Sequence, residues 1–227
     1  MPFPGLAERV AEVKGRIAAS AARGGHGQQV TVVAVTKTHG SDAARAAYEA
    51  GLHDIGENKV QEALRKISAV DVPVRWHLIG HLQRNKVKAL EHFVMLHSLD
   101  SARLADSVCA YGLARGRAVD ALLELSLSGE GTKAGFAEAE LLPEAERLVG
   151  LAGIRVRGVM TMASFTATDS ELHRTFAEAR AALRVLVEAG HPATELSMGM
   201  SNDYEIAVEE GATMVRLGTT LFGARAK

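Results

Sequence analysis

The sequence is poor in cysteine and aromatic residues, and neither sign of charge prevails. Cys109 is the only cysteine among 227 residues, so an intrachain disulfide is excluded and the composition suits a reducing compartment. Lys and Arg number 26 and Asp and Glu number 27, which gives a formal net charge of -1. This balance supplies no net field to attract nucleic acid or an anionic membrane. We therefore expect a small-molecule partner.

Long apolar runs are also missing. No stretch approaches the roughly 18 consecutive apolar residues that a membrane-spanning helix needs. The N-terminal segment "MPFPGLAERVAEVKGRI" has acidic residues early and no apolar centre, so it does not have the pattern of a secretory signal. We expect a cytoplasmic protein that does not bind membranes, with Cys109 buried as a small apolar side chain.

Short runs rich in Val, Ile, Leu and Met alternate with longer segments that have helical spacing, and this alternation is typical of parallel strands joined by crossover helices. An opening helix is expected over 6–22. The clearest amphipathic helix lies over 169–190, with Thr168 and Glu171 as its capping pair. A second capping pair is predicted at Asn202 and Glu205. The eight predicted strands cover residues 30–36, 53–56, 74–80, 93–99, 120–127, 155–162, 194–199 and 213–219.

Eight strands alternating with eight helices predict an α/β fold, a single (β/α)8 TIM-type barrel domain over residues 1–227, near the short end of the usual length range. An open, doubly wound sheet is the alternative. It predicts a GxGxxG motif after the first strand, and "TKTHGSDAA" contains none.

Active sites of such barrels lie at the C-terminal ends of the strands, which directs attention to Lys37 directly after the first strand. A lysine that enters the barrel mouth is partly desolvated, and desolvation favours the neutral amine that attacks an aldehyde or ketone. The alternative is a surface lysine that only ends the strand.

The loops after the seventh and eighth strands are suited to hold a phosphate group. Gly199 permits a close backbone approach, Ser201 offers a hydroxyl group, and Gly218 with Thr219 presents consecutive amides. Each residue is also an ordinary turn residue, so the prediction depends on their occurrence together.

Arg216 is two residues before Gly218, so strand alternation places it on the same side, and we expect it to point inward. Its permanent charge prevents it from taking a proton from a ring nitrogen. The alternative is a salt bridge within the barrel wall to Glu57 or Glu124.

Two further features do not predict a site. On an extended strand His77 and His81 stand about 13 Å apart, too far to share an ion, and we expect no metal. Lys133 lies in the glycine-containing segment "SGEGTKAGF", which we interpret as a flexible loop with a solvated lysine that could visit the ligand as a second amine.

Five blocks, "VAVTKTHG", "GENKVQEALRK", "WHLIGHLQRNK", "SGEGTKAGF" and "LSMGMSNDYEIAVEEGATMVRLGTTLFG", resemble in order and spacing the pyridoxal phosphate homeostasis protein family. The resemblance runs from about residue 30 to the C-terminus. That family has a fold similar to the N-terminal barrel of alanine racemase. The resemblance implies pyridoxal 5'-phosphate (PLP) bound as an aldimine on Lys37 and near Asn58. It also implies phosphate contacts from Ser201, Gly218 and Thr219, with Arg216 facing the pyridine nitrogen.

The resemblance further implies a role in intracellular PLP homeostasis and in delivery to PLP-dependent apo-enzymes, with no robust catalysis. An arginine opposite the ring nitrogen makes the ring a poorer electron sink, and a racemase needs a base on each face of its substrate. Beyond Lys37 the sequence offers no second base. A PLP-dependent amino-acid racemase or lyase stays open as an alternative. So does a phosphosugar-processing barrel in which Lys37 attacks the substrate's own carbonyl. Without the second domain of the racemase dimer, we expect a monomer.

Overall fold

The computed structural model describes residues 3–127 and 134–223, which form a closed barrel of eight parallel strands in the order of the sequence. The predicted (β/α)8 barrel and all eight predicted strands are confirmed, and Lys133 lies outside the described residues. The strands are β1 (Thr31–Val35), β2 (Asp54–Glu57), β3 (Arg75–Leu78), β4 (Met95–Leu99), β5 (Val119–Leu125), β6 (Ile154–Thr161), β7 (Glu195–Ser197) and β8 (Met214–Leu217).

The helices surround the barrel, and none in the described part of the chain is long and apolar enough to cross a membrane. The crossover from β3 to β4 differs from expectation, because it is a 3-10 helix over Arg84–His92 that buries only Leu90. A short 3-10 turn, Glu138–Glu140, precedes α5. The α-helices are α1 (Leu6–Gly24), α2 (Ser41–Glu49), α3 (Val60–Ala69), α4 (Ala102–Ala114), α5 (Leu141–Val149), α6 (Asp169–Glu188), α7 (Tyr204–Glu209) and α8 (Thr219–Phe222).

Apolar side chains fill two layers. One lies between the strands and the helices, and its members on α6 include Leu172, Phe176 and Leu186, on the face that the helical spacing predicts. Cys109 on α4 is buried in this layer. The other layer is the barrel interior, where register places the side chains of Val33, Val35, Leu122, Met160 and Met214.

Of the two predicted capping pairs, one is confirmed and one is wrong. The Thr168 hydroxyl accepts from the Glu171 N–H at 3.4 Å, and the Glu171 carboxylate accepts from the Thr168 N–H at 2.8 Å. Asn202 caps nothing, because a turn delays the start of α7 to Tyr204. The neighbouring carboxylate of Asp203 binds the local backbone instead, and Glu205 pairs with a helix α1 arginine at 3.0 Å.

A buried ion pair ties α3 to the ends of β1 and β2. The Lys66 ammonium donates to Glu57 at 2.6 Å, to the Thr36 carbonyl at 2.7 Å and to Glu62 at 2.8 Å. Glu57 is fully buried, and burial raises the pKa of its carboxyl although Lys66 and Thr36 donate to it. Glu62 also accepts from the Thr38 N–H at 2.7 Å. The cluster therefore fixes the backbone on both sides of residue 37.

Removing the cation of this cluster should be costly. Lys66→Met is expected to lower the free energy of unfolding by about 3–5 kcal/mol, because it leaves the Glu57 carboxylate buried without its partner. Urea-induced unfolding at neutral pH measures the change. Arg65→Met, on the exposed side of the same helix, is the matched control and should shift stability by only about 0.5 kcal/mol. Equal stability of the two variants would show that the ion pair contributes nothing.

Candidate functional site

Barrel closure brings three of the predicted site residues to one end. β1 pairs with β2 on one side and with β8 on the other, so the loops that leave these strands are neighbours. Lys37 lies two residues beyond β1, Asn58 follows β2 directly, and Gly218 follows β8 directly. These positions are at the C-terminal mouth of the barrel, where active sites of this fold lie.

The Lys37 side chain is partly buried in the mouth. Within the described residues its ammonium has no hydrogen-bond or ion-pair partner, so the amine is available to a ligand. The next residue, Thr38, has a φ of 70°, which is unusual for a β-branched residue. Beyond it the His39 ring packs against Phe3 and Phe222, with centroids 5.5 and 5.3 Å away, which holds this loop against the end of α8.

Asn58 is partly buried in the loop beside Lys37. Gly80 in the next loop packs on its backbone so closely that an added Cβ would lie 2.4 Å from the Asn58 carbonyl oxygen. Only glycine fits at such a distance. The loops after β2 and β3 are therefore locked together next to Lys37.

The loops after β7 and β8 also meet, as the sequence predicted. The Thr220 N–H donates to the Ser201 hydroxyl oxygen at 3.2 Å, which leaves the hydroxyl hydrogen free to donate. Gly218 precedes α8, and the N–H of Thr219 at the first position of that helix has no acceptor within the helix. Hydroxyl and amide donors thus converge at the mouth. The expected close approach at Gly199 is instead to α7, where an added Cβ would lie 2.6 Å from the Ala207 Cβ.

A cavity of about 490 Å³ lies behind this loop, between α1 and α7. Its charged side chains satisfy one another, since Arg16 binds both Glu12 and Glu205 at 3.0 Å. The Lys37 amine, which has no partner among the described residues, belongs instead to a loop at the mouth. We therefore place the candidate site there.

Arg216 lies in the barrel interior and is 5% exposed. Its Nη1 donates to the Ser197 carbonyl at 2.8 Å and to the Ser197 hydroxyl at 2.5 Å, and its Nη2 donates to the Thr161 carbonyl at 3.0 Å. A guanidinium has five N–H groups. In the described structure the N–H of Nε and one N–H of Nη2 are therefore left for a ligand.

The charge of Arg216 persists despite its burial. Burial lowers its pKa to about 10, against the attraction of Asp203 and Glu124, so the group is a cation at neutral pH. The predicted alternative of a wall salt bridge is wrong for Glu57, which lies behind the strands and binds Lys66. It is also wrong for Glu124, whose carboxylate makes no ion pair with Arg216 among the described residues.

The sequence reasoning named Glu124 only as an alternative salt-bridge partner of Arg216 and missed its place at the mouth. Register with Met160 places Glu124 inside the barrel, near the end of β5. Burial and the charge of Asp100 raise the pKa of Glu124 to about 7, against the attraction of Arg216. The Asp100 carboxylate itself accepts from His81 Nδ1 at 2.6 Å. The mouth therefore holds a carboxyl that titrates near neutral pH.

The second missed feature is a row of polar side chains inside the barrel, Ser197, His97, His77 and Asp54, which leads away from Arg216. Its signal in the sequence was a set of polar residues at alternate positions within otherwise apolar strands, such as Arg75 and His77 in "RWHL". His77 belongs to this row and His81 does not, so the two histidines do not form one site. No three metal-ligating side chains come together within residues 3–127 and 134–223.

Comparison with known proteins identifies the family of this barrel. The family model of the alanine racemase N-terminal domain matches residues 14–226. A pyridoxal phosphate homeostasis protein of Pseudomonas aeruginosa is 40% identical over 223 residues, with 97% of this chain and 96% of that protein covered.

Two solved structures of PipY from Synechococcus elongatus are also similar. The structure without PLP has a TM-score of 0.86 and 40% identity, and the structure with PLP bound has a TM-score of 0.85 and 38% identity. Each comparison covers 96% of this chain and all of PipY. This chain belongs to the alanine racemase N-terminal domain family and, within it, to the pyridoxal phosphate homeostasis proteins.

Proposed function

We propose that this chain binds PLP at the barrel mouth, with Lys37 as the covalent attachment point, and acts in PLP homeostasis. The observation that carries the proposal concerns two groups among the described residues: an amine at the mouth that has no partner, and a buried cation below it that keeps two N–H groups unused. A PipY structure that holds PLP, similar to this chain over 96% of its length, supports it.

The groups present fit the three ends of PLP. The Lys37 amine suits the aldehyde, which is an electrophile that a primary amine attacks. The Ser201 hydroxyl and the backbone amides of Gly218 and Thr219 suit the phosphate, because they are neutral donors at a loop that precedes a helix. Arg216 suits the ring nitrogen as a donor, and Asn58 would lie beside the ring.

Arg216 also decides what chemistry the site favours. PLP supplies an electron sink for carbanions when its ring nitrogen is protonated. Because Arg216 stays a cation, it donates to that nitrogen and gives it no proton. We therefore propose a carrier of the cofactor without robust catalysis of its own.

A second candidate function, amino-acid racemase or lyase, is favoured by one observation: Glu124 is a carboxyl at the mouth that titrates near neutral pH and could handle a proton. Prolonged incubation of the PLP-loaded protein with a panel of amino acids separates the two functions. The carrier leaves every amino acid unchanged. Repeated turnover that Glu124→Gln abolishes would establish the enzyme.

We further propose that the protein works as a cytoplasmic monomer that hands PLP to PLP-dependent apo-enzymes. The large apolar side chains exposed in the described structure are spread over α4, α5, α6 and several loops, a pattern ordinary for a protein with no permanent partner. Native mass spectrometry should find one subunit with one PLP. A dimer would contradict the monomer without touching the binding site.

Lys37→Ala should abolish covalent attachment while the protein stays folded. We expect the yellow colour and the borohydride-fixable mass increment to vanish, with an unchanged circular dichroism spectrum. Lys59→Ala, an exposed lysine in the loop after β2, is the matched control and should keep both signals. A fixed adduct that persists in Lys37→Ala, for example on Lys133, would overturn the assignment.

The raised pKa of Glu124 predicts a pH-dependent loss of stability. Above its unfolded pKa of 4.5 the carboxyl ionises in the unfolded chain and stays protonated in the folded one until about pH 7, so folding stability falls across this interval. Glu124→Gln removes the penalty. The free energy of unfolding of Glu124→Gln, measured relative to that of the wild type, should rise by about 3 kcal/mol between pH 4.5 and 7.5. One pKa unit corresponds to about 1.4 kcal/mol.

Urea unfolding at a series of pH values tests this prediction on the ligand-free protein. Glu146→Gln, an exposed position on α5, is the matched control, and its difference from the wild type should stay flat with pH. Parallel profiles for Glu124→Gln and the wild type would mean that Glu124 ionises normally.

A further inference from the structure

Five side chains form a continuous row of hydrogen bonds through the barrel interior. From the mouth inward, Arg216 Nη1 lies 2.5 Å from Ser197 Oγ, which lies 2.9 Å from His97 Nδ1. His97 Nε2 lies 2.9 Å from His77 Nδ1, and His77 Nε2 lies 2.9 Å from Asp54 Oδ1. All five residues are buried. The interior of such barrels is usually filled by bulky apolar residues, so this row is a departure that calls for a physical reason.

The two ends of the row have fixed roles. Arg216 has only donors. Although burial alone would raise the pKa of Asp54, hydrogen bonds from His77 and Arg75 lower it to about 2, so Asp54 only accepts at neutral pH. Arg75 donates to both of its carboxylate oxygens, from Nε at 2.7 Å and from Nη2 at 2.5 Å. A row that begins at a donor and ends at an acceptor can run in one direction.

The direction of the hydrogen bonds determines which atom carries each proton between the two ends of the row. Ser197 Oγ accepts from Arg216 and therefore gives its own hydrogen to His97 Nδ1. His97 then carries its proton on Nε2 and donates it to His77 Nδ1. His77 in turn carries its proton on Nε2 and donates to Asp54. Both rings are neutral, and each polar atom of the row has a partner, as buried polar groups require.

The opposite arrangement at His97 leaves a group unsatisfied. If His97 carried its proton on Nδ1, Ser197 would accept twice, and its hydroxyl hydrogen would have no acceptor among the described residues. A buried donor without a partner is energetically costly. Full protonation of His97 is opposed as well, because burial and the nearby charge of Arg216 lower its pKa well below the usual range.

We infer that Ser197, His97, His77 and Asp54 are positioning residues for Arg216: their one-way row holds Nη1 on Ser197, so that the N–H of Nε and one N–H of Nη2 stay free for a ring acceptor. A guanidinium without this row could rotate and satisfy itself on other groups. The row also stabilises the buried cation, because each of its dipoles points its negative end toward Arg216 and its last member is an anion. Only the identity of the ring acceptor rests on the proposed function.

The first arm of the experiment uses the ligand-free protein. Nitrogen-15 NMR of the histidine rings should show His97 and His77 neutral at pH 7, each protonated on Nε2 alone. His97 protonated on Nδ1, or on both nitrogens, would overturn the row's direction and with it the inference. This readout does not depend on PLP. If the tautomers are as stated and the protein takes up no PLP, the proposed function fails while the row stands.

The second arm cuts the row at its link to Arg216. In Ser197→Ala we expect His97 to lose its single tautomer, and PLP release from the loaded protein to become about three- to tenfold faster, the effect of about one lost hydrogen bond. The pyridine nitrogen resonance of isotopically labelled PLP should shift at the same time. Ser197→Thr keeps the hydroxyl and should restore all three readouts.

A matched control separates positioning from simple loss of a buried serine. Ser20→Ala removes an equally buried hydroxyl on α1, where it accepts from Arg23 at 2.8 Å, outside the barrel interior. It should leave the His97 tautomer, the release rate and the pyridine signal unchanged. If Ser197→Ala behaves like Ser20→Ala in all three readouts, Ser197 and the row behind it do not position Arg216.

Discussion

The burial of one permanent positive charge governs the inside of this barrel. Arg216 cannot lose its proton at neutral pH, and within the described residues no carboxylate binds it directly. An isolated buried charge is too expensive to survive unless dipoles and hydrogen bonds replace its water. The carbonyls of Ser197 and Thr161 and the hydroxyl of Ser197 provide that replacement. Polar residues in the interior of the barrel are thus a consequence of placing an arginine there.

The mouth depends on the outer layer as much as on the interior. Lys66, Glu57 and Glu62 stand behind the strands, yet they fix the backbone on both sides of residue 37. A glycine contact locks the loops after β2 and β3, and an aromatic contact holds the Lys37 loop against α8. The loop that carries Lys37 is therefore held by contacts on several sides, while the amine itself has no partner among the described residues. Such a combination of a supported loop and an unsatisfied group is typical of binding sites built on strand ends.

Much of this arrangement could be predicted from the sequence. The alternation of apolar runs and helical spacing gave eight strands, and the barrel rule then placed Lys37, Asn58, Ser201 and Gly218 at one end. Their binding roles stay a prediction. Local sequence patterns could not show which of several charged side chains pair with one another. Glu57 faces α3 rather than Arg216, because alternation along β2 turns it outward.

The wrong cap prediction at Asn202 and the missed polar row also arose because local sequence patterns do not show which residues become partners. Asn202 has the chemistry of a helix cap, but a turn of the chain moves the start of α7 beyond it. The N-cap position falls to Asp203, whose side chain binds the Met200 N–H and makes no capping hydrogen bond. The row from Ser197 to Asp54 links four strands, with 100 residues between His97 and its serine partner. Such a row has no spacing that can be read along the sequence. It became visible only once closure of the barrel had fixed which residues of distant strands share a level.

Thr38 has a consequence for how a ligand enters. A β-branched residue with φ near 70° is held in a conformation that costs about 1–2 kcal/mol relative to ordinary backbone, and a carboxylate on α3 helps to retain it. Relaxation of the backbone at Thr38 would move the neighbouring Lys37 amine and recover that energy. The segment beside residue 37 should accordingly open locally far more often than the strands beneath it. Capture and release of a guest molecule can then proceed through fluctuations of a few residues, with the barrel itself remaining closed.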